Sequence, residues 1–292
     1  MLPLVGIVGR AGSGKSEVGK ILQEEFGVVP IALADPLKLL ARTAFPEISE
    51  RQLFGPSATR EERVEELEAR FDTRNAVSDT TIRLLRNFAE TQFGASSDTA
   101  YTVSRRLLSL LNNKISEGAV PNARIVLQLL GTEWGREIDP NGWTKAALDT
   151  ASQLLTGGTD YDQATKQLTA QKDPRPCPGV SITDARFPQE AMAILSAGGF
   201  LVRVTRGEAD AKVSGHVSET AMASLGDWAY SCVIHNDGDL TELRAMVRAM
   251  WLRSDQARFR HEFYHDHLWN LDGFKEQLDL INARVAQPKE SQ

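Results

Sequence analysis

The sequence predicts an α/β fold with a five-stranded parallel sheet flanked by helices, and three observations support this. Five short apolar segments have the length and composition of buried strands. Helical segments separate most of them, and strand–helix–strand order is typical of a parallel sheet. A glycine-rich turn directly follows the first apolar segment and leads into a helix. The 292 residues allow one large domain or two smaller ones.

The first strand–helix–strand unit lies at the N-terminus. Residues 2–8 form an apolar run that predicts a buried strand. Residues 15–26 predict a helix, because their apolar side chains recur at helical spacing, and Gly27 ends that helix. Residues 28–34 form a second apolar run and predict the second strand.

A long helical region separates the second strand from the third. Residues 37–171 contain almost no strand-like segment. Strands are then predicted at residues 180–183, 200–205 and 230–234, and a helix at residues 187–197. Asp239, with Glu242 three residues later, is typical of a helix N-terminus, and predicts a last helix to about residue 252.

These elements predict three parts of the chain. Residues 1–44 and 175–252 form the sheet-containing core. Residues 45–174 form a large helical insertion between the second and third strands. Residues 253–292 form a helical C-terminal tail.

Composition excludes several classes of protein. The chain is 41% hydrophobic and 25% charged, which is too apolar for a disordered protein and close to an average globular one. No apolar run approaches 18 residues and no secretory leader is expected, so we predict no membrane partner. Two cysteines indicate a reducing compartment, which we take to be the cytoplasm. The net charge of −6 argues against a nucleic-acid partner. No sequence feature indicates an oligomeric state.

The segment GRAGSGKS is the strongest functional motif, and it fits G-x-x-x-x-G-K-[ST] between a strand and a helix. Glycines let successive backbone N–H groups converge on one anion, and the helix N-terminus adds its positive dipole. The motif predicts ATP as a cofactor, with a lysine at the β- and γ-phosphates and a hydroxyl on Mg²⁺. Its residues are Gly9, Arg10, Ala11, Gly12, Ser13, Gly14, Lys15 and Ser16.

Cationic side chains stand near several predicted strand ends. ATP and a monophosphate acceptor repel each other, so a nucleotide kinase must supply cations to the transferring phosphate, and it needs no strong base. Arginine suits this task because it binds phosphate with two parallel hydrogen bonds. The candidates near strand ends are Lys38, Arg186, Arg203 and Arg206, of which Arg203 is the weakest because it lies within a strand. Two more candidates, Arg124 and Arg136, lie in the helical insertion, and any one of these basic residues taken alone could equally be an ordinary surface charge. Asp35 and Asp184 both end strands, and either could orient Mg²⁺ or its waters, or act only as a helix-cap or turn residue.

Further segments follow the glycine-rich motif in a fixed order along the chain. They are ADPLK (34–38), LQLLGTEWGR (127–136) with Trp143, ITDARFPQEA (182–191), GGFLVRVTR (198–206), HVSE (216–219) and HNDGDLTEL (235–243). With these segments the chain resembles the bacteriophage deoxynucleoside monophosphate kinases, a family of the P-loop nucleoside monophosphate kinase type. The resemblance extends to about residue 250, but the long block from about residue 45 to 121 and the tail after Trp251 depart from it.

The resemblance implies an enzyme that transfers the γ-phosphate of ATP to a deoxynucleoside monophosphate, with Mg²⁺, in the host-cell cytoplasm if the protein is phage-encoded. The implied catalytic residues are Lys15, Arg186 and Arg206, and Arg206 would begin a lid that includes His216. Asn236 would lie near the adenine. Ser16 and Asp184 would hold Mg²⁺, directly or through water. The implied substrate-binding residues are Asp35, Lys38, Arg124, Gln128, Arg136, Trp143, Asp184 and His216.

Three alternatives remain open from the sequence. A kinase of the same fold could act on another phosphorylated metabolite. A P-loop ATPase could couple hydrolysis to binding or assembly, although it would not need the arginines of the insertion. HEFYH, at residues 261–265, fits the zinc motif H-E-x-x-H, but it is short and lies among aromatic residues that are typical of a packing helix.

Overall fold

The computed structural model describes residues 4–10, 12–72, 79–171, 175–207 and 225–254. Within them the chain forms an α/β structure with a five-stranded sheet flanked by helices. Two compact units are present. One comprises the described residues up to Pro30 and from Cys177 onward, and the other comprises Ile31–Pro176.

Seven strands are described, of which the third and fourth lie outside the five-stranded sheet. They are β1 (Leu4–Val8), β2 (Val29–Ile31), β3 (Thr159–Asp162), β4 (Gln167–Ala170), β5 (Val180–Ile182), β6 (Phe200–Thr205) and β7 (Cys232–His235). The five-stranded sheet has the order β2-β5-β1-β6-β7, in which β1 pairs in parallel with both of its neighbours and β6 pairs in parallel with β7. All five strands of this sheet overlap the predicted segments, so the predicted parallel sheet is confirmed.

Ten α-helices lie in the described part of the chain. They are α1 (Lys15–Phe26), α2 (Asp35–Ala44), α3 (Glu50–Phe54), α4 (Glu65–Asp72), α5 (Asp79–Phe93), α6 (Ser97–Ser116), α7 (Ala123–Leu129), α8 (Gly142–Thr156), α9 (Pro188–Ser196) and α10 (Leu240–Ser254). Leu130–Arg136 continues α7 as a π-helix. The predicted cap of α10 is confirmed, because the Glu242 N–H donates to Asp239 Oδ1 at 2.9 Å.

Side chains alternate between the two faces of β1, and each face is covered by helices. Val5 and Ile7 pack with apolar side chains of α1 and α10. Gly6 faces the other way, where a β-carbon would lie 2.6 Å from Leu201 Cδ2 and 3.0 Å from Ile194 Cδ1 of α9. Both faces of β1 are therefore buried, which explains why its sequence is continuously apolar rather than alternating.

Charged side chains join α1 to α10 at the surface. Glu25 of α1 accepts hydrogen bonds from Arg244, at 2.9 Å, and from Arg248. The hydrogen bond from Arg248 is the largest cause that lowers the pKa of Glu25 below its ordinary value. These pairs fix the relative position of two helices that both lie on one face of the sheet.

The unit Ile31–Pro176 has its own core, formed by side chains of α2 through α8. Trp134 is fully buried there, and its Nε1–H donates to Ser104 Oγ at 3.0 Å. The unit also contains an antiparallel hairpin of β3 and β4. This hairpin contradicts the expectation of almost no strands between residues 37 and 171. It was missed because its strands are short, polar and largely solvent-accessible, so they show no apolar pattern.

No helix in the described ranges is long and apolar enough to cross a membrane.

The close packing of α9 against the sheet yields a stability prediction at Gly199. A β-carbon there would lie 2.8 Å from the Ile194 carbonyl oxygen and 2.9 Å from the Leu4 carbonyl oxygen, and backbone atoms cannot move aside easily. Gly199→Ala is expected to lower the free energy of unfolding by about 1–3 kcal/mol. Chemical denaturation measures this. Gly131→Ala is the control, because its β-carbon would meet only the flexible end of Leu37, at 3.3 Å. Equal effects of the two substitutions would contradict the packing argument.

Candidate functional site

The glycine-rich loop, residues 9–16, connects the carboxyl end of β1 to the first turn of α1. Gly12 and Gly14 have φ values of 81° and 100°, which residues other than glycine rarely adopt. Within the described residues no side chain caps α1, whose N-cap residue is Gly14. The first N–H groups of a helix have no partner within the helix. This helix end therefore has the features of an anion-binding site.

Lys15 lies over the loop from which it extends. Its Nζ donates to the carbonyl oxygens of Gly9 and Arg10, each at 2.7 Å. The ammonium group is thus held beside the same backbone segment that would surround a phosphate. The contact of this lysine with the β- and γ-phosphates, which the motif predicts, stays a prediction.

Neighbouring strands restrict the backbone of the loop closely. A β-carbon on Gly9 would lie 2.3 Å from the Val204 carbonyl oxygen of β6. A β-carbon on Gly14 would lie 2.3 Å from Asn236 Nδ2. Ser13 is fully buried, and its Oγ has no hydrogen-bond partner among the described atoms. Glycine is required at Gly9 and Gly14 because other chain segments occupy the space of a side chain.

Asn236 follows β7 and contacts the loop directly. Its Nδ2 donates to the Ser13 carbonyl oxygen at 2.9 Å, and its backbone N–H donates to the Thr205 carbonyl at 2.8 Å. The residue is 9% exposed. The next residue, Asp237, accepts a 2.7 Å hydrogen bond from the Gly207 N–H. The end of β7 thus holds both the glycine-rich loop and the chain after β6. The predicted contact of Asn236 with adenine stays a prediction.

Other candidates follow the strands on either side of β1. Asp184 comes two residues after β5, and Arg206 comes directly after β6. Because β5, β1 and β6 are parallel, their carboxyl ends lie at the same edge of the sheet. Ligands of open α/β sheets bind at this edge, between two adjacent strands whose onward connections lead to opposite sides of the sheet. β1 and β6 are such a pair, because β1 continues to β2 on one side and β6 continues to β7 on the other.

Arg186 is exposed, and the backbone that carries it is fixed. Glu190, in the first turn of α9, accepts hydrogen bonds from the N–H groups of Arg186 and Phe187 at 2.7 and 3.1 Å. The guanidinium is therefore displayed from an ordered helix N-terminus rather than from a long loop.

Ser16 and Asp184 have the chemistry that Mg²⁺ requires. Both offer oxygen ligands, and Mg²⁺ is commonly held by one or two protein oxygens together with water and substrate phosphates. α1 passes close to the end of β5, because a β-carbon on Gly19 would lie 2.9 Å from Thr183 Cγ2. The serine lies one turn before Gly19, and the aspartate directly follows Thr183. The residues present therefore fit a magnesium ion.

Arg203 has partners away from the loop. Its Nη1 lies 3.5 Å from Asp227 Oδ1, and its guanidinium lies over the ring of Tyr230, 5.7 Å from the ring centre. Burial raises the pKa of the Tyr230 phenol, which remains neutral beneath the cation at pH 7. These contacts agree with the sequence argument that Arg203 is the weakest of the arginine candidates.

In the unit Ile31–Pro176, Asp35 is 5% exposed and is held by two donors. Its Oδ2 accepts from the Ala32 N–H at 2.9 Å and from the Tyr161 hydroxyl of β3 at 2.8 Å. The adjoining cavity has a volume of 20 Å³. Small-molecule sites usually occupy about 300–1,000 Å³, so this cavity by itself is too small for a nucleotide. The geometry favours a structural role for Asp35, and its predicted substrate contact stays a prediction.

The remaining polar candidates of this unit are exposed, except for Lys38, which is half-buried. Lys38 Nζ lies 5.4 Å from the centre of the Phe54 ring, a cation–π contact. Arg124 forms an ion pair with Glu61 at 3.0 Å. Gln128 and Arg136 are exposed. Arg124 and Gln128 are four residues apart on α7 and therefore share one helix face.

Trp143 belongs to an aromatic cluster. Its ring centre lies 5.0 Å from that of Phe93, 5.7 Å from that of Phe88 and 5.9 Å from that of Trp134. Its Nε1–H donates to the Gly131 carbonyl at 3.2 Å. These contacts account for a tryptophan here through packing, while the ring is only partly buried. A contact with substrate stays a prediction.

Four sequence expectations lie outside the described residues. They concern Ala11 of the glycine-rich motif, His216 of the proposed lid, the HEFYH motif at residues 261–265 and the helical tail at residues 253–292, of which only the first two residues are described. In the ranges that the structure does describe, no group of three or more His, Cys, Asp or Glu side chains could hold a metal ion.

Sequence reasoning missed two residues that position the candidates. Tyr161 holds Asp35 from a hairpin that was not expected, and no sequence pattern pointed to it. Asp237 holds the backbone after β6. Its place in an Asn-Asp-Gly turn was visible, but its partner was not.

The Tyr161 hydroxyl supplies a prediction for this unit. Tyr161→Phe removes one of two donors to a buried carboxylate, so it should lower the free energy of unfolding by about 1–3 kcal/mol. Urea denaturation tests this, with Tyr101→Phe as the control because Tyr101 is 44% exposed. If both variants unfold like the wild type, the hydroxyl does not stabilise Asp35 measurably.

Comparison with protein-family models finds no matching family, and comparison with curated proteins finds no matching relative.

Proposed function

We propose that the protein transfers the γ-phosphate of ATP to a nucleoside monophosphate, with a deoxynucleoside monophosphate as the preferred acceptor. The observation that carries the proposal is the glycine-rich loop at the carboxyl end of the central strand. Its uncapped helix N-terminus, two glycines with positive φ and Lys15 suit a polyphosphate.

The cations at neighbouring strand ends support transfer to an anionic acceptor rather than simple hydrolysis. Arg186 follows β5 and Arg206 follows β6, so the two flank the strand that carries the loop. In phosphoryl transfer, positioned arginines stabilise the charge on the equatorial oxygens of the moving phosphate. The acceptor phosphate is already ionised, so a dedicated base is unnecessary.

Each group of the proposed site then has one task. The N–H groups at the start of α1 bind phosphate oxygens, and Lys15 exchanges its two carbonyl partners for the β- and γ-phosphates. Ser16 and Asp184 would hold Mg²⁺, which supplies charge neutralisation between phosphates when bound. Arg186 binds the transferring group from the exposed end of α9.

The deoxynucleoside monophosphate acceptor rests on the sequence resemblance. The resemblance assigns Arg124, Gln128, Arg136 and Trp143 to the acceptor. Of these, the first three side chains are exposed and could meet a ligand without refolding. An ATPase has no use for an acceptor, so acceptor dependence is the property that separates the two functions.

A coupled assay of ADP release tests the function. We expect release to depend on an added monophosphate from a panel of dNMPs and NMPs, with Mg²⁺ present. Lys15→Ala should abolish it, because the β- and γ-phosphates lose their cation. ADP release that needs no acceptor would favour a P-loop ATPase. Dependence only on a non-nucleotide phosphate would favour a kinase for another metabolite.

Arg186 gives a second prediction. Arg186→Ala should lower kcat by about 10³-fold, because arginines that stabilise the transferring phosphate contribute at least that much. Arg203→Ala is the matched control on the adjacent part of the sheet, and its kcat should stay within about twofold of wild type, since Arg203 contacts Tyr230 and Asp227. Steady-state kinetics with saturating ATP measures both. Should Arg186→Ala also stay within twofold, its assigned role is wrong.

A further inference from the structure

Asn236 makes a hydrogen bond that the proposed function does not use. Its side chain reaches Ser13 in the glycine-rich loop, across 223 positions of the sequence. The residue itself is fixed by its backbone N–H, which extends the β6–β7 pairing to the Thr205 carbonyl. A group anchored on the sheet thus contacts a loop that is rich in glycine.

The orientation of this bond matters because of the peptide that it holds. Asn236 Nδ2 binds the carbonyl oxygen of the peptide between Ser13 and Gly14. In a planar trans peptide the C=O and the N–H point in opposite directions. A fixed Ser13 carbonyl therefore fixes the Gly14 N–H, which points away from Asn236. An anion site in a loop requires N–H groups with fixed, convergent directions.

Local hydrogen bonds hold the two flanking peptides: the Ser13 N–H donates to the Arg10 carbonyl at 3.2 Å, and the Gly14 carbonyl accepts from the Val18 N–H at 3.0 Å. Gly14 has no side chain, and glycine adopts positive and negative φ with similar ease, so a rotation of the peptide costs little. Gly14 also allows the approach of Asn236, because a β-carbon there would lie 2.3 Å from Nδ2. The glycine that makes the loop flexible and the amide that restrains it are in contact.

We propose that Asn236 is a positioning residue of the glycine-rich loop, which holds the Ser13–Gly14 peptide in the orientation that binds phosphate, and that it does not read the adenine base. The inference rests on the proposed binding of a nucleotide phosphate by this loop. It assigns the residue a task that is independent of the base. The low exposure of Asn236 and the use of its amide donor on a backbone carbonyl both favour this assignment over base recognition.

The experiment uses the full-length protein and a probe without a base. Calorimetry measures the Kd of Mg²⁺-ATP and of Mg²⁺-tripolyphosphate for the wild type, Asn236→Ala and Asn236→Asp. We expect Asn236→Ala to weaken both ligands by the same factor, about tenfold, which is the size of one lost hydrogen bond. Asn236→Asp keeps the shape but faces the Ser13 carbonyl with an anion, so it should weaken both ligands at least as much.

Asn122→Ala is the matched control. Asn122 Oδ1 accepts a 3.0 Å hydrogen bond from the Ile125 N–H at the start of α7, so this variant also loses a side chain that restrains the backbone. It should lower stability and leave both Kd values unchanged. Asn236→Asp preserves packing, so it keeps the test decisive if Asn236→Ala does not fold.

The outcomes distinguish a failure of this inference from a failure of the proposed function. Weaker ATP binding with unchanged tripolyphosphate binding would show that Asn236 reads the base, and would overturn the inference. Unchanged binding of both ligands would also overturn it. A wild-type protein that binds neither ligand would overturn the proposed function itself. In each Asn236 variant, a loss of ATP binding equal to the loss of tripolyphosphate binding, with the control unaffected, would support the positioning role.

Discussion

The parallel pairing of β1 on both of its edges is the constraint on which the rest of the structure depends. Val5 is opposite Ser181 of β5 on one side and opposite Phe200 of β6 on the other. Because the three strands run in the same direction, whatever follows each of them emerges at one edge of the sheet. The glycine-rich loop, Asp184 and Arg206 are therefore neighbours by topology, although they are far apart in sequence. A strand at the border of the sheet would have only one neighbouring strand, and hence only one neighbouring segment at this edge.

The glycine-rich loop has a flexible backbone that contacts with other chain segments restrain. Glycine loses more conformational freedom on folding than any other residue, so a loop rich in glycine has little order of its own. Here the order comes from outside, from β6 beneath Gly9 and from the end of β7 beside Gly14. Because these contacts act on the backbone, they fix the directions of peptide groups in the loop, and an anion site requires N–H groups of fixed direction.

Much of the sheet was predictable, because a strand buried on both faces, such as Leu4–Val8, is a continuous apolar run. The β3–β4 hairpin was not, since polar, partly exposed strands carry no such pattern. For the site, the loop could be predicted because its motif is local. The partner of Asn236 could not, because a sequence does not say which carbonyl an amide will reach after folding. Trp143 shows the same limit: the sequence cannot separate a packing tryptophan from a binding one.

The central place of β1 also has a consequence for synthesis of the chain. This apolar strand is synthesised well before its partner strands, which begin only at Val180 and Phe200. At translation rates of about 5–20 residues per second, roughly 170 further residues take about 10–35 s. During that time β1 and α1 have no sheet to join, and Ile31–Pro176, which has a core of its own, is finished just before β5 is made. The nascent protein therefore carries β1 without its partner strands, as an apolar segment that a chaperone could bind, and the loop after β1 gains its contact with Asn236 only after residue 236 is made.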